Sequence, residues 1–125
     1  MSRTVQPTLV DKWRELLDRH AAVSCAMESR LQSGHGIGLS EFETLDRLAD
    51  AQCEKYRMND LAHDMYLSQS ALSRAVARLE RLGLITRVMC PEDRRGVFVS
   101  LTKAGVTLHA EARETQHDVL AETLR

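Results

Sequence analysis

From residue 8 to residue 31 a stripe of Leu9, Trp13, Leu16, Leu17, His20/Ala21, Ser24, Met27 and Leu31, mostly apolar, follows helical spacings of three and four. That rhythm predicts a helix with one apolar face. No Pro or Gly interrupts it, so a single helix of roughly 24 residues, about 36 Å long, is expected. It outruns the core of so small a domain and should reach toward a partner. Gly34, Gly36 and Gly38 then crowd a short stretch. A phosphate-binding loop would need a preceding strand and a following Lys, so a flexible connector is the better reading. Ser40 and Glu43 form a capping box for a second helix carrying Phe42, Leu45, Leu48 and Ala49 on one face. Asn59 can cap a short third helix with Leu61, Ala62 and Met65, and Ser68 a fourth that runs to Leu82 and stops at Gly83. Residues 84–89 and 97–101 are β-rich and joined by a polar turn, which predicts a hairpin with a charged tip. Thr102 caps a last helix over 103–124, with Val106, Leu108, Ala112, Val119 and Leu120 apolar. The expected fold is mostly α with a small β-hairpin wing.

Two short helices, a tight turn and a hairpin make a winged helix-turn-helix. The fourth helix carries the functional signal. Leu72, Ala75, Val76, Leu79 and Leu82 lie on one side; Gln69, Ser70, Ser73, Arg74, Ala77, Arg78 and Arg81 lie on the other. Small residues permit close approach to a duplex, amides and hydroxyls reach base edges or phosphates, and Arg pairs with phosphate or guanine. The helix N-terminus, capped by Ser68, favours phosphate as well. An ordinary solvated face would mix signs, whereas Glu80 is the sole acid between Gln69 and Leu82. The hairpin tip adds Asp93, Arg94 and Arg95. An Arg there can enter a narrow minor groove, with Asp93 orienting Arg95 through a bidentate pair. The bland alternative is a charged turn that serves solubility.

Along these residues the chain resembles the MarR family of bacterial transcription regulators. The resemblance runs through Leu61-Ala62, then from Leu67 through Ser68-Gln69-Ser70-Ala71-Leu72-Ser73-Arg74, and from Leu79 to Ile85. It continues in Asp93-Arg94-Arg95-Gly96-Val97 and Leu101-Thr102-Lys103-Ala104-Gly105, and weakly in the first two helices. It implies a winged-helix homodimer that binds a near-palindromic operator on double-stranded DNA, its terminal helices forming the dimer interface. It also implies release by a small ligand, aromatic or phenolic in character, or by an oxidant. The expected organisation is an N-terminal dimerisation helix over 1–32, a DNA-binding lobe over 40–101, and a C-terminal dimerisation helix over 102–125. Members of the family usually run on into a further dimerisation helix, so a weaker dimer than usual is expected. Many members also place Gly where Tyr66 stands, so Tyr66 must tolerate that turn's backbone or the turn differs.

The net charge of −1 hides an uneven distribution. Residues 1–55 carry seven basic against nine acidic side chains, residues 56–103 eight against five, and residues 104–125 two against four. A basic middle between acidic ends suits a local DNA footprint. The odd set Cys25, Cys53 and Cys90 argues against a disulfide scaffold or a zinc module and fits a reducing cytoplasm. No apolar run is long enough to span a bilayer, so no membrane partner is expected. Trp13 is read as packing in the core or a dimer interface, with the wall of a ligand pocket as the alternative. Cys25 is read as an inert buried thiol, though redox members of the resembled family carry their sensor in this helix. The five His form no recognisable metal set, and no cofactor is expected. No nucleophile elbow or nucleotide fingerprint points to an enzyme. The rival reading is a winged-helix protein-interaction module that does not read DNA.

Overall fold

The computed structural model describes residues 8–51, 56–89 and 96–125. The first helix, α1 (Leu9–His35), opens on a reciprocal cap: Thr8 Oγ1 accepts from the Asp11 amide at 3.0 Å, and Asp11 returns a carboxylate to the Thr8 amide. It runs four residues past the expected end, through Gly34, because side chains near its C-terminus are anchored. Leu31 is fully buried, and His35 hydrogen-bonds Thr115 at 2.7 Å. Only Gly36, with φ of 73°, takes the left-handed stop. The glycine cluster is therefore divided: Gly34 is helical, Gly36 ends α1, and Gly38 starts α2 (Leu39–Asp50). The expected box of Ser40 and Glu43 is replaced by Glu41, whose carboxylate accepts the Gly38 amide at 2.8 Å.

Strand β1 (Tyr56–Arg57), too short to show an alternating pattern, leads directly into α3 (Met58–Met65). Arg57 is the N-cap residue, so Asn59 falls in the first turn instead of capping it. Ser68 does cap α4 (Gln69–Arg81), accepting the Ala71 amide at 3.1 Å. Strands β2 (Ile85–Met89) and β3 (Val97–Leu101) pair antiparallel, with Arg87 opposite Val99. β1 adds to the other side of β3, giving the order β1-β3-β2. Thr102 caps α5 (Lys103–Leu124) as expected.

One core joins these elements: Phe42, Leu45, Leu61, Leu72, Val76, Leu79, Ile85 and Val99 are essentially inaccessible. Each such side chain contributes about 1.5–3 kcal/mol on burial. Leu82 departs from expectation. It stands just past α4 and is 47% exposed, because the chain turns there at Gly83, φ 77°. The last helix packs largely within the same chain, although Val106 near its start stays 56% exposed. Ala112 and Val119 are fully buried where α5 lies along the C-terminal half of α1, with Arg30 bonding Glu122 at 2.9 Å. The N-terminal half of α1 stays uncovered, leaving Leu9, Trp13, Leu16 and Leu17 exposed. Among the described residues no helix is long and apolar enough to cross a membrane.

The junction of wing and last helix is unusually tight. The Leu84 carbonyl accepts the Thr102 amide at 3.0 Å, and the Thr102 hydroxyl donates to the Gly83 carbonyl at 2.7 Å. A Cβ on Gly105 would lie 2.1 Å from the Leu84 oxygen. Only a residue without a side chain lets α5 start there.

Candidate nucleic-acid interface

The turn between α3 and α4 is Tyr66, Leu67 and Ser68. Tyr66 adopts φ 57°, ψ 31° and is 93% exposed, so the turn keeps its left-handed shape despite the missing Gly. Among the described residues no other non-glycine has a positive φ. The turn leaves Leu67 half-buried and places Ser68 to cap α4. Ser68, Gln69, Ser70, Ser73 and Arg74 are all exposed, and together they form one continuous outer surface on the first half of the helix. Gln69 Nε2 donates to Asn59 Oδ1 at 3.3 Å, and the Ser68 and Ser70 hydroxyls share a bond at 3.3 Å. These contacts orient two polar groups on a surface that otherwise faces solvent. Among the described residues no hydrogen bond or ion pair engages Arg74 or Arg81. The helix N-terminus adds its partial positive charge to the same surface.

Arg78, grouped by sequence with the outer face, is instead half-exposed and turned back against the start of α2. Its guanidinium bonds Glu41 Oε1 at 2.5 Å and the Gly36 carbonyl at 3.1 Å. Position on the helical wheel does not report this, because a long side chain can swing back toward a neighbouring element. Glu80 is likewise accounted for: both Nε and Nη2 of Arg87 on β2 reach it, at 3.2 and 3.0 Å, bracing the wing against α4. Arg57 lies over the Phe98 ring, 5.7 Å from its centre. Between α3, α4 and the wing lies a cleft of about 200 Å³, lined by Arg57, Met58, Asn59, Ser73, Arg87 and Val97. Asp93, Arg94 and Arg95 lie outside the described residues, as do Cys53 and Cys90.

Other titratable groups were not legible as partners. The Tyr56 hydroxyl donates to the Asp64 carboxylate, and this bond, aided by burial, pushes the phenol up to about 12. Glu43 is raised above its ordinary range by burial first and by Asp46 second, with Arg47 opposing. His109, nearly buried on α5, bonds Asp46 at 2.7 Å and stacks on Phe42. It is thus a strut between α2 and α5. Trp13 is 59% exposed on the uncovered N-terminal half of α1. Cys25 is exposed, which corrects the buried thiol expected for it. Among the described residues no group of His, Cys, Asp and Glu could hold a metal ion.

Comparison with known proteins places this arrangement. The profile of the MarR family matches residues 37–97, the stretch from the start of α2 into the wing. The organic hydroperoxide resistance transcriptional regulator of Bacillus subtilis (strain 168) is 33% identical over 67 residues, which are 54% of this chain and 46% of that protein. The match therefore spans about half the length of this curated relative. Among solved structures, AbsC, a MarR family transcriptional regulator from Streptomyces coelicolor, superposes with a TM-score of 0.82 at 28% identity, over 96% of this chain and 82% of that one. Another MarR family transcriptional regulator from Streptomyces coelicolor, solved in complex with DNA, gives 0.85 at 27% identity, over 98% and 78%.

Proposed function

The chain belongs to the MarR family, and on that footing we propose that it is a DNA-binding transcriptional regulator that acts in the cytoplasm as a homodimer on a near-palindromic site. One observation carries this reading: the outer surface of α4 offers Ser68, Gln69, Ser70, Ser73 and an unengaged Arg74 to solvent, next to the helix N-terminus. This chemistry suits a major groove, where the hydroxyls and the amide reach phosphates or base edges and Arg74 reaches phosphate or guanine. Similarity to a relative solved with DNA supports it. On the strength of the sequence alone, Arg95, with Asp93 to orient it and Arg94 beside it at the wing tip, carries the minor-groove contact. The uncovered Leu9, Trp13, Leu16 and Leu17 supply the dimer surface, with the partner's equivalent helix as occupant. That pairing would hold two α4 helices about one DNA turn apart, ~34–36 Å.

In this account the protein is a repressor, and a small aromatic ligand wedged between the lobe and the dimer helices releases it by changing that spacing. The test is binding of purified protein to the DNA flanking its own gene, with and without candidate phenolic acids. Salt-dependent, sequence-selective binding that the ligand weakens supports the reading. Equal and salt-independent affinity for every duplex would favour a protein-interaction module.

A further inference from the structure

Two carboxylates meet the start of α2 and a third lies farther along it, and each ties the helix to a different place. Glu28 of α1 accepts the Leu39 amide at 2.9 Å and is steadied by Gln32 at 3.0 Å. Glu41, one turn into α2, accepts the Gly38 amide at 2.8 Å. The same Glu41 oxygen receives the Arg78 guanidinium from α4, whose other arm donates to the Gly36 carbonyl at the end of α1. Asp46, farther along α2, holds His109 of α5. The guanidinium thus bridges the end of one helix and the start of the next from a third. Glu41 is largely shielded, with 15% of its side chain exposed against 38% for Arg78, so solvent competes weakly for the carboxylate.

We propose that Arg78 is a positioning residue that locks α4 to the α1–α2 elbow, and that this lock fixes how far apart the two α4 helices of a dimer stand. The inference rests on the dimeric DNA-binding reading above. It follows from where the bonds run. The dimer surface lies on α1 and the DNA-facing surface on α4, and two hydrogen bonds of the Arg78 guanidinium, to the Gly36 carbonyl and to Glu41, join α4 to the elbow between them. The planar guanidinium makes both bonds at once, so it restrains angle as well as distance. Neighbouring Arg74 and Arg81 are left without such a partner, which separates the roles of arginines on one helix: Arg78 holds, Arg74 reads.

The test uses Glu41→Gln, which keeps shape while removing the charge that holds Arg78, and Arg78→Ala. The probes are a duplex enriched by the wild-type protein from a random library, its isolated half-site, and versions with one or two base pairs inserted at the centre. For Glu41→Gln, half-site affinity stays unchanged. The preference for correct over shifted spacing falls about tenfold, the order carried by one charge-assisted hydrogen bond. Arg78→Ala behaves the same way with an unchanged salt slope. A Glu41→Gln protein that binds as well as or tighter than wild type, with Arg78→Ala weakening the half-site and flattening the salt slope, would make Arg78 a DNA contact and overturn the lock. Amide exchange without DNA separates this from failure of the DNA reading. In Arg78→Ala the amides of residues 36–41 should exchange about tenfold faster while those of α5 stay put. Unchanged exchange at the elbow overturns the lock, whether or not the wild type enriches any duplex.

Discussion

Replacing Gly105 by Ala should be among the most damaging single-methyl additions in this protein. The new Cβ would sit 2.1 Å from the Leu84 carbonyl oxygen and 3.1 Å from its carbon, with a Leu101 methyl at 3.2 Å. The first of these contacts is backbone and cannot rotate away. The oxygen is also pinned from its other side, since it accepts the Thr102 amide, while Thr102 holds both Gly83 and the Gly105 amide. Relief requires α5 to move by about an ångström, against Ala112, Val119 and the His109–Asp46 bond. Overpacking of this kind costs typically 1–3 kcal/mol and sometimes more. Ala favours a helix over Gly by about 1 kcal/mol, which offsets part of it. A net loss of about 2 kcal/mol is expected, or a fall in Tm of roughly 6–10 °C for a chain of this size. Thermal unfolding followed by circular dichroism at fixed protein concentration measures it. A Tm within about 2 °C of wild type, or above it, would refute the reasoning.

Three further outcomes follow from particular side chains. Tyr66→Gly should raise stability by a few tenths to about 1 kcal/mol, because left-handed backbone costs an L-residue roughly 1–2 kcal/mol and the exposed ring packs on little; denaturant melts showing a loss above about 1 kcal/mol would contradict it. Glu43→Gln should raise Tm at neutral pH, since burial disfavours the charged carboxylate. The gain should shrink as the pH falls through the raised folded pKa of Glu43 and vanish below its ordinary value of 4.5, where both states are protonated; a constant gain at every pH would point to packing instead. For Tyr56 the sign is opposite to a carboxylate salt bridge. Its bond to Asp64 stabilises fully below pH 10 and is lost as the pH rises toward 12, so the difference in Tm between wild type and Tyr56→Phe should close over that window.

The helices and hairpin were largely legible because their caps and apolar periods are local. Thr8, Ser68 and Thr102 sit where their side-chain oxygens meet amides three residues on, and the β-rich run Val97–Leu101 forms the strand it predicts, with Val99 buried at its centre. Errors arose where a local rule had two solutions. Ser40 and Glu43 satisfied a capping pattern, but Glu41 reached the amide of Gly38, a residue also tolerated at the cap. β1 was missed because two residues have no period; it exists only through pairing with β3.

The same division holds for the candidate site. The exposed row from Ser68 to Arg74 could be read from helical spacing, since each position's direction follows from its number. Arg78 could not, because its partners Glu41 and Gly36 are about forty residues away and a flexible side chain chose between solvent and a half-buried carboxylate. The coverage of α5 by α1 was hidden for a similar reason. An apolar stripe shows that a helix has a partner and says nothing of which chain supplies it.

The central claim is that the outer face of α4 grips DNA. Its most direct test is the affinity of wild type and Arg74→Ala for a selected duplex across a salt series. Wild-type affinity should fall steeply with salt. Arg74→Ala should weaken binding by about 1–3 kcal/mol if the guanidinium reads a guanine, or near-uniformly across sequences with a slope reduced by about one if it meets a phosphate. A folded Arg74→Ala protein with wild-type affinity and an identical salt slope would contradict the account.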